Sequence, residues 1–149
     1  MQPLQAVVAR AHDALAPLGL GPTKQLFSST MAHGQTRTVS VDAPPGCTRV
    51  DVLAGAPVVG TRGYLWSGSD LIASSEGGEH HALFGCTPVA TTFELEVEVV
   101  GRPGPVVAEA RSERGDTEAF RAAPLAAGRL LARANAAGRL VPAKALHQV

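Results

Sequence analysis

Hydrophobic and polar positions follow two different periods along this chain. Near the N-terminus the apolar residues recur at three- and four-residue steps, which is the spacing of one face of an α-helix: Leu4, Val7, Val8, Ala11 and Leu15. Pro3 suits the first turn of such a helix, and Pro17 and Gly19 are suited to ending it. The pattern predicts an N-terminal helix and connector over residues 1–24.

Between residues 25 and 112 the period becomes two. The segment "TTFELEVEVV" is the clearest case, because Phe93, Leu95, Val97 and Val99 fall on one face and Glu94, Glu96 and Glu98 on the other. This alternation is typical of an antiparallel strand with one face in water. Turn signals such as "APPG", "SGSD" and "GRPGP" separate about eight runs of this kind. The region is therefore predicted to be a mainly β sandwich or barrel.

The helical period returns after Ser112. Asp116 is a suitable N-cap, and Pro124 interrupts the helix and opens a second segment. That segment ends at Gly138 and carries an apolar stripe: Leu125, Leu130, Leu131 and Ala134. Residues 113–149 are therefore predicted to be a C-terminal helical segment, either packed into one compact domain with the rest or connecting it to a further domain.

Composition and charge exclude several classes of protein. A chain of 149 residues with 45% hydrophobic and 17% charged residues can bury a core and is not typical of a disordered chain. Its 13 basic and 13 acidic residues balance, which argues against a nucleic-acid partner. No apolar run approaches the roughly 18 residues that span a bilayer. The first residues lack a basic region and are not a signal peptide, so the chain is either cytoplasmic or part of a longer exported protein.

The sequence "EHH" is the candidate cluster for chemistry. Glu79, His80 and His81 are all residue types that bind zinc. Adjacent residues on a strand point to opposite faces, however, so the two histidines are poorly placed to share one ion. We therefore interpret the segment as a turn followed by a strand with one inward and one outward histidine. No motif for a nucleophile, phosphate loop or calcium loop accompanies it, and we predict no catalytic residue, cofactor or metal.

Two further features are interpreted as parts of the sandwich. The glutamate stripe on "TTFELEVEVV" has two interpretations, a surface that binds a cation or a basic partner and a solvated strand face. We favour the solvated face, with Arg37 and Arg49 pairing with it across strands. Trp66, the single tryptophan of the chain, is expected to pack in the sandwich or to lie at its rim.

The two cysteines have three interpretations: a disulfide, two buried free thiols, or a reactive thiol. Cys47 opens one predicted strand and Cys86 closes another, which suits a disulfide that would stabilise the fold by about 4 kcal/mol and would indicate an oxidising compartment. Because Val50 and Val52 are expected to face the core, an unbroken register points Cys47 outward. Either Gly46 turns Cys47 inward, or the bridge lies at the edge of the sandwich.

The order of strands and turns resembles a known family. The segments are "TRTVSVDAPPGCTRVDVLAG", "GTRGYLWSGSDLIASSEGG" and "TTFELEVEVVGRPGPVVAEAR", and over residues 26–112 they look like the bacterial pre-peptidase C-terminal jelly-roll sandwiches of secreted proteins. Here "SGSD" replaces the usual Asp-Gly turn, and the acidic calcium loops of the family have no counterpart. Cys47 and Cys86 match the cysteine positions of some relatives, so the resemblance implies that they are bonded.

The resemblance implies a function as well as a fold. It predicts an antiparallel jelly-roll sandwich of about eight strands with flanking helices, acting as a non-catalytic binding or structural accessory module in the periplasm or outside the cell. Its partner would be a protein or a carbohydrate. Two alternatives stay open: a small metal-binding protein or enzyme using the "EHH" cluster, and a cytoplasmic assembly subunit that oligomerises through its terminal helices.

Overall fold

The structure is a computed structural model that describes residues 2–16 and 21–112. One helix and eight strands account for most of these residues. The N-terminal helix and the strand count were predicted from the sequence and are confirmed. The predicted C-terminal helical segment, residues 113–149, lies outside the described residues. The elements are α1 Leu4–Leu15, β1 Lys24–Met31, β2 Thr36–Ala43, β3 Gly46–Ala54, β4 Gly60–Ser67, β5 Asp70–Gly77, β6 His80–Thr87, β7 Thr91–Val100 and β8 Gly104–Ser112.

The strands form two four-stranded antiparallel sheets. Sheet 1 has the order β1-β8-β3-β6 and sheet 2 the order β2-β7-β4-β5. The first strand pairs with the eighth, the second with the seventh, the third with the sixth and the fourth with the fifth. This is the order of a long hairpin rolled into two layers, which defines a jelly roll. The predicted fold class is therefore confirmed.

The core lies between the two sheets and follows the period-two pattern. On β7 the side chains of Phe93, Leu95, Val97 and Val99 are completely buried. The intervening glutamates point to the other side of sheet 2, as the alternation predicts. Inward residues of sheet 1 complete the core, among them Val50, Val52, Leu83, Val106 and Ala108.

The helix α1 covers part of the outer face of sheet 1. Val7 and Ala11 pack against Leu53 of β3 and Val107 of β8, so the predicted apolar stripe is the face that is buried. Gly55 permits the close approach of the helix start, because a Cβ at this position would clash with the backbone of Leu4. No helix among the described residues has the length and apolar character needed to cross a lipid bilayer.

Candidate functional site

The three residues of the predicted "EHH" cluster have different partners. Glu79 lies before β6 and accepts hydrogen bonds from Nη2 of Arg10 at 2.6 Å and from the backbone nitrogen of Gln2 at 3.1 Å. The hydrogen bond from Arg10 lowers the pKa of Glu79. His80 and His81 begin β6 and point to opposite faces of sheet 1. Within residues 2–16 and 21–112, no three His, Cys, Asp or Glu side chains are grouped to hold a metal ion.

His81 is a residue of the core. Its side chain is completely buried, with Nε2 2.6 Å from Oγ1 of Thr61. Space for the ring comes from two glycines, since a Cβ at Gly63 would lie 3.3 Å from Cε1 of His81 and one at Gly77 would lie 3.1 Å from its Cβ. Burial, together with the charge of His80, lowers the pKa of His81 to about 4. The imidazole is therefore neutral at neutral pH and closed to solvent.

Asp51 is the centre of a buried ionic cluster on the outer face of sheet 1. Its Oδ1 accepts from Nε2 of His80 at 2.7 Å and from Nη2 of Arg49 at 2.8 Å, and its Oδ2 accepts from Nη1 of Arg111 at 3.1 Å. Burial raises the pKa of Asp51, but the hydrogen bond from His80 and the charge of Arg49 outweigh burial and bring it to about 2. The carboxylate of Asp51 is therefore ionised, and its oxygens are held by Arg49, Arg111 and His80.

The ionic cluster continues from sheet 1 to the helix α1. In register, Arg49 lies opposite Arg111 and Asp51 opposite Glu109 on β8. Nη2 of Arg111 donates to Oε1 of Glu109 at 3.2 Å, and both carboxylate oxygens of Glu109 lie 2.9 Å from Nε2 of His12 on α1. Two guanidinium groups are thus balanced by two carboxylates, and the network ties α1, β3, β6 and β8 together.

Cys47 and Cys86 form a disulfide. They lie directly opposite each other on β3 and β6, with Cα atoms 4.0 Å apart. The register of β3 against β6 is unbroken. Cys47 therefore points to the same side of sheet 1 as Arg49 and Asp51, which is the outer side. β6 is an edge strand of sheet 1. Of the two arrangements that the sequence left open, Cys47 turned inward or a bridge at the edge of the sandwich, the structure has the bridge at the edge. It fastens this edge strand to its neighbour.

The outer face of sheet 2 presents aromatic and carboxylate side chains to solvent. Along β4, Arg62, Tyr64 and Trp66 point outward, whereas Gly63 and Leu65 between them are buried. The glutamate stripe lies beside them on β7, and the register pairs Arg62 with Glu98, Tyr64 with Glu96, and Trp66 with Glu94. On the other side, Glu76 of β5 lies opposite Arg62. We call this surface the acidic–aromatic face: Arg62, Tyr64, Trp66, Glu76, Glu94, Glu96 and Glu98.

Contacts on the acidic–aromatic face hold some of its side chains in place. Nε1 of Trp66 donates to Oε1 of Glu96 at 3.1 Å. Arg62 lies between two carboxylates, with Glu76 at 3.5 Å and Glu98 at 3.7 Å. The side chains of Tyr64 and Trp66 are each half-buried. The indole is therefore oriented by a hydrogen bond and still has surface available to a ligand.

The prediction that Arg37 and Arg49 pair with the glutamate stripe was wrong. Arg37 lies on the opposite side of β2, in register with the buried Val97, and its guanidinium stacks over Phe27 at 5.0 Å from the ring centroid. Arg49 belongs to the other sheet and binds Asp51. Among the described residues, the cation beside the stripe is Arg62 on β4, which flanks β7 on the side away from β2.

The sequence contained partial signals for the buried ionic cluster and for the acidic–aromatic face. Arg49 and Asp51 alternate with Val50 and Val52, so they share the face away from the core. Two charged residues with this spacing on a strand between other strands are a signal for a buried ionic cluster. For Trp66, alternation around the buried Leu65 indicates an outward position, and the structure places it half-buried on the outer face of sheet 2, one residue before the end of β4.

Comparisons with known proteins concern the sandwich fold. No protein-family model matches the chain, and no curated protein sequence matches it. Among solved structures, the chain is similar to PliG, a periplasmic inhibitor of g-type lysozyme from Aeromonas hydrophila, with 14% identity over 61% of this chain and 86% of that chain and a TM-score of 0.44.

A second similar structure belongs to the class of domain that the sequence resembles. It is the pre-peptidase C-terminal domain of the collagenase from Bacillus anthracis, with 17% identity over 62% of this chain and 90% of that chain and a TM-score of 0.46. A third is the carbohydrate-binding module CBM6cm-2 of Cellvibrio mixtus lichenase 5A, with 8% identity, 66% and 93% coverage and a TM-score of 0.33. At these identities the likeness is one of fold. The strand order of the two sheets defines the chain as a jelly-roll β-sandwich.

Proposed function

We propose that this chain is a non-catalytic binding module of an exported bacterial protein and that the acidic–aromatic face contacts its ligand. One observation carries the proposal: Tyr64 and Trp66 lie side by side with a row of carboxylates on an open sheet face. Half-exposed aromatic rings supply contact area at a small entropic cost, and the polar groups beside them supply direction. The ligand is a protein or a carbohydrate.

The environment of the titratable groups supports a non-catalytic role. Asp51 is held by Arg49, Arg111 and His80, and His81 is enclosed in the core. A general acid or base has to reach a substrate proton and titrate near the working pH. Neither residue meets these requirements, so the clusters of the described region are better suited to stabilising the fold than to proton transfer.

The disulfide supports export. Bonds such as Cys47–Cys86 form and persist in oxidising compartments and are rare in the reducing cytosol. The bridge secures an edge strand, and a module of this kind benefits from such reinforcement outside the cell. This supports our proposal that the protein is located in the periplasm or outside the cell.

The proposal is tested by binding to glycan and peptide arrays. We expect the oxidised protein to bind at least one class of ligand, and the double variant Tyr64→Ala/Trp66→Ala to lose that binding. The matched control is Ser28→Ala/Thr30→Ala, which alters an equal number of side chains on the edge strand β1. Circular dichroism verifies that both variants are folded. Ligands that bind the wild type and the aromatic variant equally, or an absence of any bound ligand, would overturn the proposal.

A further inference from the structure

The acidic–aromatic face carries a charge imbalance within a neutral chain. The whole sequence has a formal net charge of zero. On this face, four carboxylates accompany one guanidinium, which leaves a formal charge of −3 on three adjacent strands. A surface of one sign attracts a partner of the opposite sign and repels partners of its own sign. The face is therefore suited to a cationic ligand.

Two of the carboxylates are available to such a ligand. Arg62 is shared between Glu76 and Glu98. Among the described residues, no cation lies within salt-bridge distance of Glu94 or Glu96. Glu94 is exposed, and Glu96 is oriented by the indole of Trp66. Within residues 2–16 and 21–112, bringing a cation to these two carboxylates breaks no ion pair.

The aromatic side chains add a second means of binding a cation. Ammonium and guanidinium groups are attracted to the faces of Trp and Tyr rings. Tyr64 and Trp66 are two residues apart on β4, so they repeat at about 7 Å. Glu94 and Glu96 repeat with the same spacing on the adjacent strand. Both rows therefore match an extended peptide in which every second side chain is basic.

We propose that the acidic–aromatic face binds an extended basic segment of a partner protein, with alternating Lys or Arg side chains placed against Glu94, Glu96 and the rings of Tyr64 and Trp66. The inference rests on the proposed function and names the chemistry of its ligand. Charge complementarity favours this ligand over an anionic one. It also favours a basic peptide over a neutral glycan, since a neutral glycan carries no charge to form ion pairs with Glu94 and Glu96.

The experiment is a titration of the full oxidised chain with synthetic peptides. Trp66 is the single tryptophan, so its fluorescence reports on the face directly. We expect a saturable change with a capped peptide of alternating lysine and threonine, and none with matched peptides in which glutamine or glutamate replaces lysine. Raising the salt concentration from about 0.05 M to about 0.5 M should weaken the binding by screening the charges. A peptide of the same composition with its lysines in adjacent pairs should bind at least about twofold more weakly, because strand geometry then turns neighbouring lysines to opposite sides.

A matched pair of charge variants locates the interaction. Glu94→Gln should weaken binding by about two- to fivefold, as expected for an exposed ion pair. Asp13→Asn removes an exposed carboxylate from α1 and should leave the affinity unchanged. Equal losses in the two variants, or equal affinities for the lysine and glutamine peptides, would overturn the inference.

The outcome also separates this inference from the proposed function. Glycans could bind the wild type and fail to bind the Tyr64→Ala/Trp66→Ala variant, while basic peptides bind neither. In that case the inference about basic peptides is wrong, and the proposal of a binding module is retained. If neither class of ligand depends on the face, both are wrong.

Discussion

Trp66 and Glu96 are joined diagonally across two strands of sheet 2. The register places Trp66 opposite Glu94 and Tyr64 opposite Glu96, yet Nε1 of Trp66 donates to Oε1 of Glu96 at 3.1 Å. The indole thus reaches back along the sheet to the carboxylate opposite its aromatic neighbour. One hydrogen bond thereby fixes a half-buried ring on an otherwise open surface.

Removing this carboxylate should release the indole. We expect Glu96→Ala to increase the quenching of Trp66 fluorescence by acrylamide, because the ring loses the acceptor that holds it against the sheet. Glu98→Ala is the control, since Glu98 lies on the same stripe but binds Arg62. Equal quenching in the two variants would show that the hydrogen bond does not restrain the ring.

The two faces of β7 should differ sharply in their sensitivity to substitution. Leu95 is completely buried between the sheets, so Leu95→Ala should lower the free energy of unfolding by about 2–5 kcal/mol through lost transfer energy and the remaining cavity. Glu94→Ala, one position away on the exposed face, should change it by no more than about 0.5 kcal/mol. Urea denaturation measures both, and similar costs would mean that the two faces are equally buried.

The buried ionic cluster should be sensitive to the loss of its central anion. Asp51→Asn leaves Arg49 buried without its counter-charge and Arg111 with Glu109 alone, which should cost about 3–5 kcal/mol of unfolding free energy. Asp42→Asn is the matched control, because the Asp42 side chain is 78% exposed and its salt-bridge partner Lys24, at 3.7 Å, is exposed as well. Its cost should stay within about 0.5 kcal/mol. If Asp51→Asn is as mild as the control, the cluster is not a major contributor to stability.

His81 should make the fold less stable in acid. Its pKa is about 4 in the folded protein and about 6.5 when exposed in the unfolded chain. Between these values the unfolded chain binds the extra proton, so stability falls as the pH is lowered. The loss from this group between pH 7 and pH 4 should reach about 3 kcal/mol.

A double variant isolates this contribution from other groups that titrate in acid. Thr61→Val/His81→Leu replaces both hydrogen-bonding partners with apolar groups and should flatten the pH dependence of the unfolding free energy between about pH 6.5 and pH 4. An unchanged slope in the double variant would show that the acid sensitivity arises elsewhere.

The disulfide should be complete in the oxidised protein. Thiol titration of unfolded, unreduced protein should detect no free thiol, since the chain contains only Cys47 and Cys86. Replacing both by Ala should lower the unfolding free energy by about 4 kcal/mol, because the unfolded chain regains the entropy of a closed loop. Two thiols per chain after oxidative refolding would remove the bridge and the main support for export.

Local patterns in the sequence determined the elements and the direction of their side chains. The alternation on β7 was sufficient to place Phe93 and Leu95 in the core, and the helical spacing of Val7 and Ala11 identified the buried face of α1. The outward direction of Cys47 followed from the same alternation. These features were predictable because side-chain direction within a strand or helix depends only on backbone geometry over a few residues.

Neighbours across strands were decided by the tertiary structure alone. Arg49 was expected beside the glutamate stripe but lies in the other sheet, and Trp66 was not connected with Glu96, which is 30 residues away. The jelly roll places β4 beside β7 and β3 beside β8, so residues distant in sequence share one surface. That pairing is set by packing two sheets around one core, an arrangement of the whole chain that no short stretch of residues specifies.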